Sequence, residues 1–130
     1  MKIPLLGELE MSALELLWQR GTADAKEVHS AIGVSRSITL STIQSTLERL
    51  NRKRLLMRER VGHAYHYAPV LGRAEFRAHA MANALSDLRG ADAAGVMAAF
   101  VDLVARTDRT KLDDLEKIIG RARDKRQARR

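Results

Sequence analysis

The chain has no cysteine among its 130 residues. This absence excludes disulfides, thiolate metal sites and cysteine nucleophiles. Aromatic residues make up only 4% of the chain, too few for a stacking platform that binds single-stranded nucleic acid. No run of about 18 apolar residues occurs, as a membrane-spanning helix would need, and the first residues lack the pattern of a secretory signal. We therefore expect a cytoplasmic protein that is not inserted into a membrane.

Groups for catalysis or metal binding are also sparse. The histidines are scattered over two predicted helices and a predicted hairpin: His29, His63, His66 and His79. His63 and His66 are three residues apart, which places them on opposite faces of a strand and gives poor metal geometry. Adjacent Asp113 and Asp114 do not aim two carboxylates at one point, and no glycine-rich phosphate loop is present. We expect no enzyme, no metal and no cofactor.

The net charge of +7 is unevenly distributed along the chain. Residues 36–60 hold seven basic and two acidic residues, a balance of +5, and residues 121–130 hold six basic residues and one acidic residue, again +5. The net charge is −2 for residues 1–35 and −1 for residues 61–120. Concentrated positive charge is the electrostatic footprint of a nucleic-acid binder, although a basic tail alone is usually a solvated end.

The segment from Leu40 to Lys53 has the pattern of a DNA recognition helix. Its apolar residues recur at helical spacing: Leu40, Ile43, Leu47 and Leu50. The remaining surface carries hydrogen-bonding groups, which we take as candidate DNA contacts: Ser41, Thr42, Gln44, Ser45, Arg49 and Lys53. Such side chains can bind base edges and phosphates. Taken alone, the segment is equally compatible with a surface helix that is rich in hydroxyls.

Two predicted helices precede this segment. Leu5 to Gln19 forms a first amphipathic helix, and Asp24 with Glu27 has the spacing of a capping box that starts a short second helix, ended by Gly33. Three residues of the following turn can cap the third helix: Ser35, Ser37 and Thr39. Two short helices, a brief turn and a third helix are the order of a helix-turn-helix unit.

A β-hairpin is predicted directly after the third helix. Tyr65 and Tyr67 alternate with His66, as in a half-buried strand, and Gly62 supplies the turn. The hairpin carries three candidate contacts to the phosphate backbone: Arg58, Arg60 and His63. A helix-turn-helix followed by a basic hairpin predicts a winged helix.

The remainder of the chain reads as helices with apolar faces that one chain cannot enclose. Candidate dimerisation residues are Phe76, Ala80, Leu88, Val96, Met97, Phe100, Val104, Leu112, Leu115 and Ile119. Such faces more often pair with a second copy than with a ligand. We therefore expect a mainly α protein with three parts. These are a winged-helix DNA-binding domain with a small β-hairpin wing over residues 1–70, a helical dimerisation domain over 71–123, and a disordered basic tail over 124–130.

With these residues assembled, the chain resembles the penicillinase-repressor family of bacterial regulators (BlaI/MecI/CopY). The resemblance is carried by Leu6-Gly-Glu-Leu-Glu, by Ser41-Thr-Ile with Thr46-Leu-x-Arg-Leu50-x-x-Lys53, and by Gly62-His-x-Tyr-x-Tyr-x-Pro69. It covers about residues 5–70 and extends more weakly over 72–120. Arg54 departs from the pattern, because the family often has Gly at that position.

The resemblance implies a homodimeric repressor that binds a palindromic operator in double-stranded DNA. It places Thr42, Gln44 and Ser45 at contacts to bases and phosphates, and Arg49 and Lys53 at the backbone. In the antibiotic-resistance members a membrane sensor protease cuts the dimerisation domain near an Asn-Phe bond; the corresponding pair here is Ala99-Phe100. That protease is a candidate partner. The cysteine cluster of the copper-responsive branch is absent.

Two other functions remain open at the level of sequence. A winged-helix module can serve protein–protein contacts, with the basic charge incidental. A winged-helix regulator of another family can bind a small-molecule effector at the dimer interface, although the low aromatic content argues against this.

Overall fold

The computed structural model of the protein describes residues 1–129 and divides into two compact units. The first spans Met1–Leu85 and the second begins at Ser86. The expected fold class is confirmed: the chain is mainly helical, with one small antiparallel sheet. Within residues 1–129 we find no helix that combines the length and apolar character needed to cross a bilayer.

Three helical segments of the first unit follow the predicted order. Helix α1 spans Glu8–Arg20, and α2 spans Ala25–Val28 and continues as a π turn and a 3₁₀ turn up to Arg36. The predicted capping box is present at α2, where Asp24 accepts from Glu27 N–H at 2.8 Å and Glu27 accepts from Asp24 N–H at 3.2 Å. These reciprocal bonds satisfy backbone donors that the helix leaves unpaired. The second helix therefore starts where the sequence indicated.

Helix α3 spans Leu40–Arg52 and has defined ends. Thr39, one of the three candidate caps, accepts from Thr42 N–H at 3.1 Å. At the other end, Leu55 N–H donates to Leu50 C=O and Arg54 N–H donates to Asn51 C=O, both at 3.0 Å. This is the Schellman pattern, which places a left-handed residue, usually Gly, after the helix. Arg54 adopts that conformation, with φ 63°, so the departure from the family pattern falls on a strained position.

The sheet has three strands in the order β1-β3-β2, where β1 is Ala23–Asp24, β2 is Leu56–Val61 and β3 is Ala64–Pro69. The predicted hairpin is β2–β3, closed at Gly62 with φ 65°. The additional strand β1 pairs Ala23 with Tyr67 and Asp24 with His66. A two-residue strand carries no detectable alternation, so its pattern could not be predicted. It joins the start of α2 to the wing.

The core of the first unit is built from apolar faces of all three helices and from the sheet. Its largest fully buried residues are Leu14, Leu17, Val28, Ile43, Thr46, Leu47, Leu50 and Leu56. Thr46 is the polar member, and its hydroxyl donates to Thr42 C=O at 2.8 Å. Burial without such a bond would cost free energy. The buried stripe of α3 turns the opposite side of that helix towards solvent.

Helix α4, Arg73–Ser86, begins on this core. Trp18 Nε1–H donates to Leu71 C=O at 2.9 Å, and the ring of Trp18 lies 5.3 Å from that of Phe76. Arg73 donates to Glu15 at 2.7 and 3.1 Å. Phe76 was predicted to be a dimerisation residue, but it is only 7% exposed and belongs to the N-terminal core. Because this packing continues past residue 70, the compact unit ends later than the expected domain boundary.

The second unit contains α5, Ala91–Thr107, and α6, Arg109–Ala128, which pack against each other. Asp108 separates the two helices, and its side chain accepts from Thr110 N–H at 3.0 Å. The expectation of a disordered tail from residue 124 is wrong as far as Ala128, because α6 continues to that residue. Ala, Arg, Lys and Gln are all good helix formers, and this outweighed the basic composition used for the prediction. Arg130 lies outside the described residues.

Candidate nucleic-acid interface

The exposed side of α3 presents the polar residues that the sequence singled out. Ser41, Thr42, Gln44 and Ser45 are all exposed, while Ile43 and Leu47 anchor the helix in the core. The Thr42 hydroxyl lies 3.0 Å from that of Thr39, so it takes part in the cap of the helix. Gln44 carries an amide with both a donor and an acceptor, the pair of groups that matches the major-groove edge of adenine.

Arg49 and Lys53, further along α3, have intramolecular partners. Arg49 donates to Thr46 Oγ1 at 3.3 Å. Lys53 Nζ lies 2.7 Å from Glu10 Oε2 on α1. Burial raises the pKa of Glu10, but bonds from Lys53 and from Gly7 N–H outweigh it and hold that pKa below its usual value. Lys53 thus joins the end of α3 to α1, a role that sequence spacing did not reveal.

The wing carries its candidate cations on one face. Arg58 and Arg60 both lie over the ring of Tyr65, at 4.3 and 5.8 Å from its centroid. Alternate residues of a strand share a face, which accounts for the position of both guanidinium groups over one ring. His63 is exposed in the turn at the tip of the hairpin. Arg60 is exposed beside it, with its Nε–H 3.5 Å from Gly62 C=O.

Arg58 differs from Arg60 because it pairs with a residue of α3. Its guanidinium donates to Glu48 Oε1 on α3, and the hydroxyl of Tyr67 donates to the same oxygen at 2.5 Å. The Tyr67 bond, helped by Arg58, holds the pKa of Glu48 below its usual value despite partial burial. Burial and the bond to Glu48 raise the pKa of Tyr67 to about 12. Glu48 therefore fastens the wing to α3.

A groove of about 560 Å³ lies between α3 and the wing. Gln44 and Glu48 line it from α3, His63 and Tyr65 line it from the hairpin, and Lys26 lines it from the start of α2. The groove thus has the amide of Gln44 on one side and both cationic and acidic side chains on others, the acids being Asp24 and Glu48.

Three residues of this region were not predicted as functional. In the sequence, Glu48 looks like any acidic residue on a helix surface, and Tyr67 looks like any half-buried residue of a strand. No local pattern indicates that the two side chains meet. Lys26 lies within the capping box of α2, and no neighbouring residue marks it as a contact. The position of Lys26 follows from the pairing of β1 with β3, because this pairing brings the start of α2 beside the wing.

The candidate dimerisation residues of the second unit fall into two groups. Val104, Leu112 and Leu115 are partly buried. Four others remain about half exposed: Val96, Met97, Phe100 and Ile119. Ala80 on α4 and Leu88 after it are partly buried. Three further apolar residues of this unit are also exposed: Val101, Leu103 and Ile118. Exposed apolar residues of this kind make the second unit a candidate interaction surface.

A helix-turn-helix with a β-hairpin packed beside its third helix defines a winged helix. Residues 6–121 match the model of the family described as penicillinase repressor. The chain is 33% identical over 120 residues to the transcriptional regulator BlaI of Mycobacterium tuberculosis, in strains CDC 1551 and H37Rv; the alignment covers 92% of this chain and 86% of the relative. The chain therefore belongs to the penicillinase-repressor family, as its motifs indicated.

Among solved structures, the DNA binding domain of the repressor BlaI in solution is similar, at 25% identity and a TM-score of 0.51. The match covers 58% of this chain and 93% of that domain. The family and these relatives are transcriptional regulators and not enzymes, which confirms the expectation from the sequence. Within residues 1–129, no cluster of His, Asp and Glu is suited to hold a metal ion.

Proposed function

We propose that this repressor is a homodimer that binds a palindromic operator in duplex DNA through α3 and the wing. The observation that carries the proposal is the exposed polar face of α3, with Gln44 beside a groove whose other walls include His63 and Lys26. Direct readout needs a polar helix surface that reaches base edges, and backbone contacts need nearby cations. The first unit of this chain supplies both the polar helix surface and the nearby cations.

Individual roles follow from the partners of each side chain. Ser41, Gln44 and Ser45 read or approach base edges, while Thr42 acts from the helix cap. Arg60 and His63 contact phosphates from the wing. Arg58 and Lys53 are held by Glu48 and Glu10, so in this proposal their first role is to position the wing and α3. Arg49 reaches the backbone beside the bases that Gln44 reads.

The homodimer rests on the second unit. Phe100, Leu103 and Ile118 are 47%, 57% and 58% exposed, and burying such side chains against a second copy stabilises the pair by about 25 cal/mol per Å² of apolar surface. A twofold dimer presents two recognition helices to two half-sites, which is why a palindrome is the expected operator. This places DNA recognition and assembly on different units of the chain.

A membrane sensor protease as a further partner would act on a helical bond. Ala99–Phe100 lies inside α5, so cleavage there requires α5 to unwind locally, because proteases bind extended chain. The proposal predicts that this opening precedes any release from DNA by that route.

The proposal is tested with two single variants of the full chain. The operator is first selected from a pool of random duplexes by rounds of binding. Gln44→Ala should then weaken operator binding by about 1–3 kcal/mol, or about 5–150-fold, and leave binding to random DNA nearly unchanged, because a bidentate contact discriminates between bases. Arg60→Gln should weaken both equally and lower the slope of log affinity against log salt by about 0.9 for each phosphate that Arg60 neutralises.

Fluorescence anisotropy over a salt series measures both effects. Arg20→Gln, at the end of α1, is the charge-matched control for Arg60→Gln. A protein that binds no duplex DNA at low salt would contradict the proposal and favour a protein-contact module. Selected sequences without twofold symmetry would contradict the palindromic operator.

A further inference from the structure

The last turns of α6 and Arg129, the residue that caps the end of the helix, carry a stripe of cations. Lys117, Arg121, Lys125 and Arg129 recur at intervals of four residues, and all four are exposed. At 3.6 residues per turn this spacing keeps them on one side of the helix. Beyond the stripe, residues 121–129 also contain Arg123 and Arg126, with Asp124 as the acidic residue. None of the ion pairs found within residues 1–129 includes a cation of the stripe.

The apolar face of α6 ends before this segment. Ile118 and Ile119 are its last large apolar residues, and only alanines follow among the apolar types. A helix that is polar on all sides does not bury a face against a second helix. It also lacks the apolar side with which an amphipathic helix enters a membrane surface. Neither packing in a dimer nor insertion into a lipid surface therefore accounts for the charge of this segment.

Like charges four residues apart on a helix repel each other, although cations near the C-terminus are favoured by the helix dipole. A polyanion would turn the repulsion into attraction. Successive cations of the stripe are about 6 Å apart along the helix axis, and a duplex carries a phosphate about every 3.4 Å on each strand. A phosphate backbone can thus neutralise several of these cations together.

We propose that residues 117–129 form a second, sequence-independent binding surface for the phosphate backbone of duplex DNA. The proposal rests on the DNA binding proposed above and extends it to a unit of the chain assigned only to assembly. Most of the segment lies beyond residue 121, where the match to the family model ends. The surface therefore belongs to this chain's own sequence and not to the pattern that defines the family.

The test compares two triple variants of the full chain on a random-sequence duplex. Arg121→Gln, Lys125→Gln and Arg129→Gln remove most of the stripe. Arg89→Gln, Arg106→Gln and Arg109→Gln remove the same charge from exposed positions outside it. The stripe variant should lower the salt slope of binding by up to about 0.9 for each cation that contacts a phosphate. The control variant should keep the wild-type slope, and both should keep the wild-type helix content by circular dichroism.

Each other outcome overturns the inference. Equal slopes for the wild type and the stripe variant, with both binding DNA, would leave the proposed function intact and remove the second surface. If the two variants lowered the salt slope equally, the effect would come from the net charge of the chain and not from the position of the stripe. Weaker binding to vesicles rich in anionic lipid, with an unchanged DNA slope, would assign the stripe to a membrane surface. A wild type that binds no duplex would end both proposals.

Discussion

The two units of this chain have similar apolar residues but bury them differently. In the first unit, Leu14, Leu17 and Leu47 are at most 1% exposed, and every buried hydrophobic residue of the described chain lies at or before Phe76. In the second unit, Phe100 and Leu103 remain 47% and 57% exposed. The first unit buries a core of its own, whereas the second leaves large apolar side chains exposed. If the second unit forms the proposed dimer, folding of the first unit and assembly are separable properties.

The chain's two phenylalanines, one in each unit, allow the difference between the units to be tested by matched substitutions. Phe76→Ala removes a ring packed against Trp18 in the closed core, and we expect a decrease of about 3–5 kcal/mol in the free energy of unfolding of the first unit. Phe100→Ala should leave that free energy unchanged and weaken dimerisation. Trp18, the one tryptophan of the chain, lies in the first unit and reports its unfolding in urea by fluorescence.

Sedimentation equilibrium measures the second half of that prediction. Phe76→Ala should change the dimer dissociation constant only as far as it unfolds the first unit. A Phe100→Ala chain that remains as dimeric as the wild type, with a destabilised tryptophan transition, would reverse the roles given to the two rings.

Tyr67→Phe tests the contact between the wing and α3 within the first unit. Removing the bond to the Glu48 carboxylate should cost about 1.5–3 kcal/mol, as for hydrogen bonds to charged groups. The pKa of Glu48 is lowered when folded, so its contribution is present above its ordinary pKa of 4.5 and is lost as the pH falls through the folded value. The pKa of Tyr67 is raised to about 12, so its contribution is present below 10 and is lost as the pH rises through about 12.

The difference between wild type and Tyr67→Phe should therefore be largest between about pH 5 and pH 10. Urea unfolding followed by Trp18 fluorescence from about pH 2 to about pH 12 measures it, and dimerisation serves as the internal control. A difference that stays constant down to pH 2 would show that Glu48 is not the partner that matters.

Arg54→Gly gives the smallest effect and has the opposite sign. Arg54 has a φ of 63°, a conformation that costs an L-residue about 1–2 kcal/mol and glycine almost nothing. Part of this gain is lost, because glycine has more conformational entropy in the unfolded chain. We therefore expect the free energy of unfolding of the first unit to rise by about 0.5–1 kcal/mol. The urea midpoint should rise, with no change in dimerisation. A fall would mean that the Arg54 side chain stabilises the turn.

Local pattern was enough to predict most of the first unit. The capping box at Asp24, the Thr39 cap, the stripe of α3 and the hairpin at Gly62 all depend on residues that are close in sequence. The links between distant segments could not be predicted. Lys53–Glu10, Tyr67–Glu48 and Trp18–Leu71 join residues on different elements, and each depends on the assembled core. Phe76 was misassigned for the same reason, since its spacing in α4 does not show which surface it meets.

Sedimentation velocity of a fragment ending at Leu85, run beside the full chain, measures whether the first unit folds alone and whether dimerisation needs the second. The fragment retains Leu71 and Phe76, which a fragment ending at residue 70 would lose. We predict a monomer with the wild-type tryptophan transition for the fragment and a dimer for the full chain at the same concentration. A stable dimer from the fragment, or a fragment that does not fold, would contradict the division between a self-contained recognition unit and a separate unit for assembly.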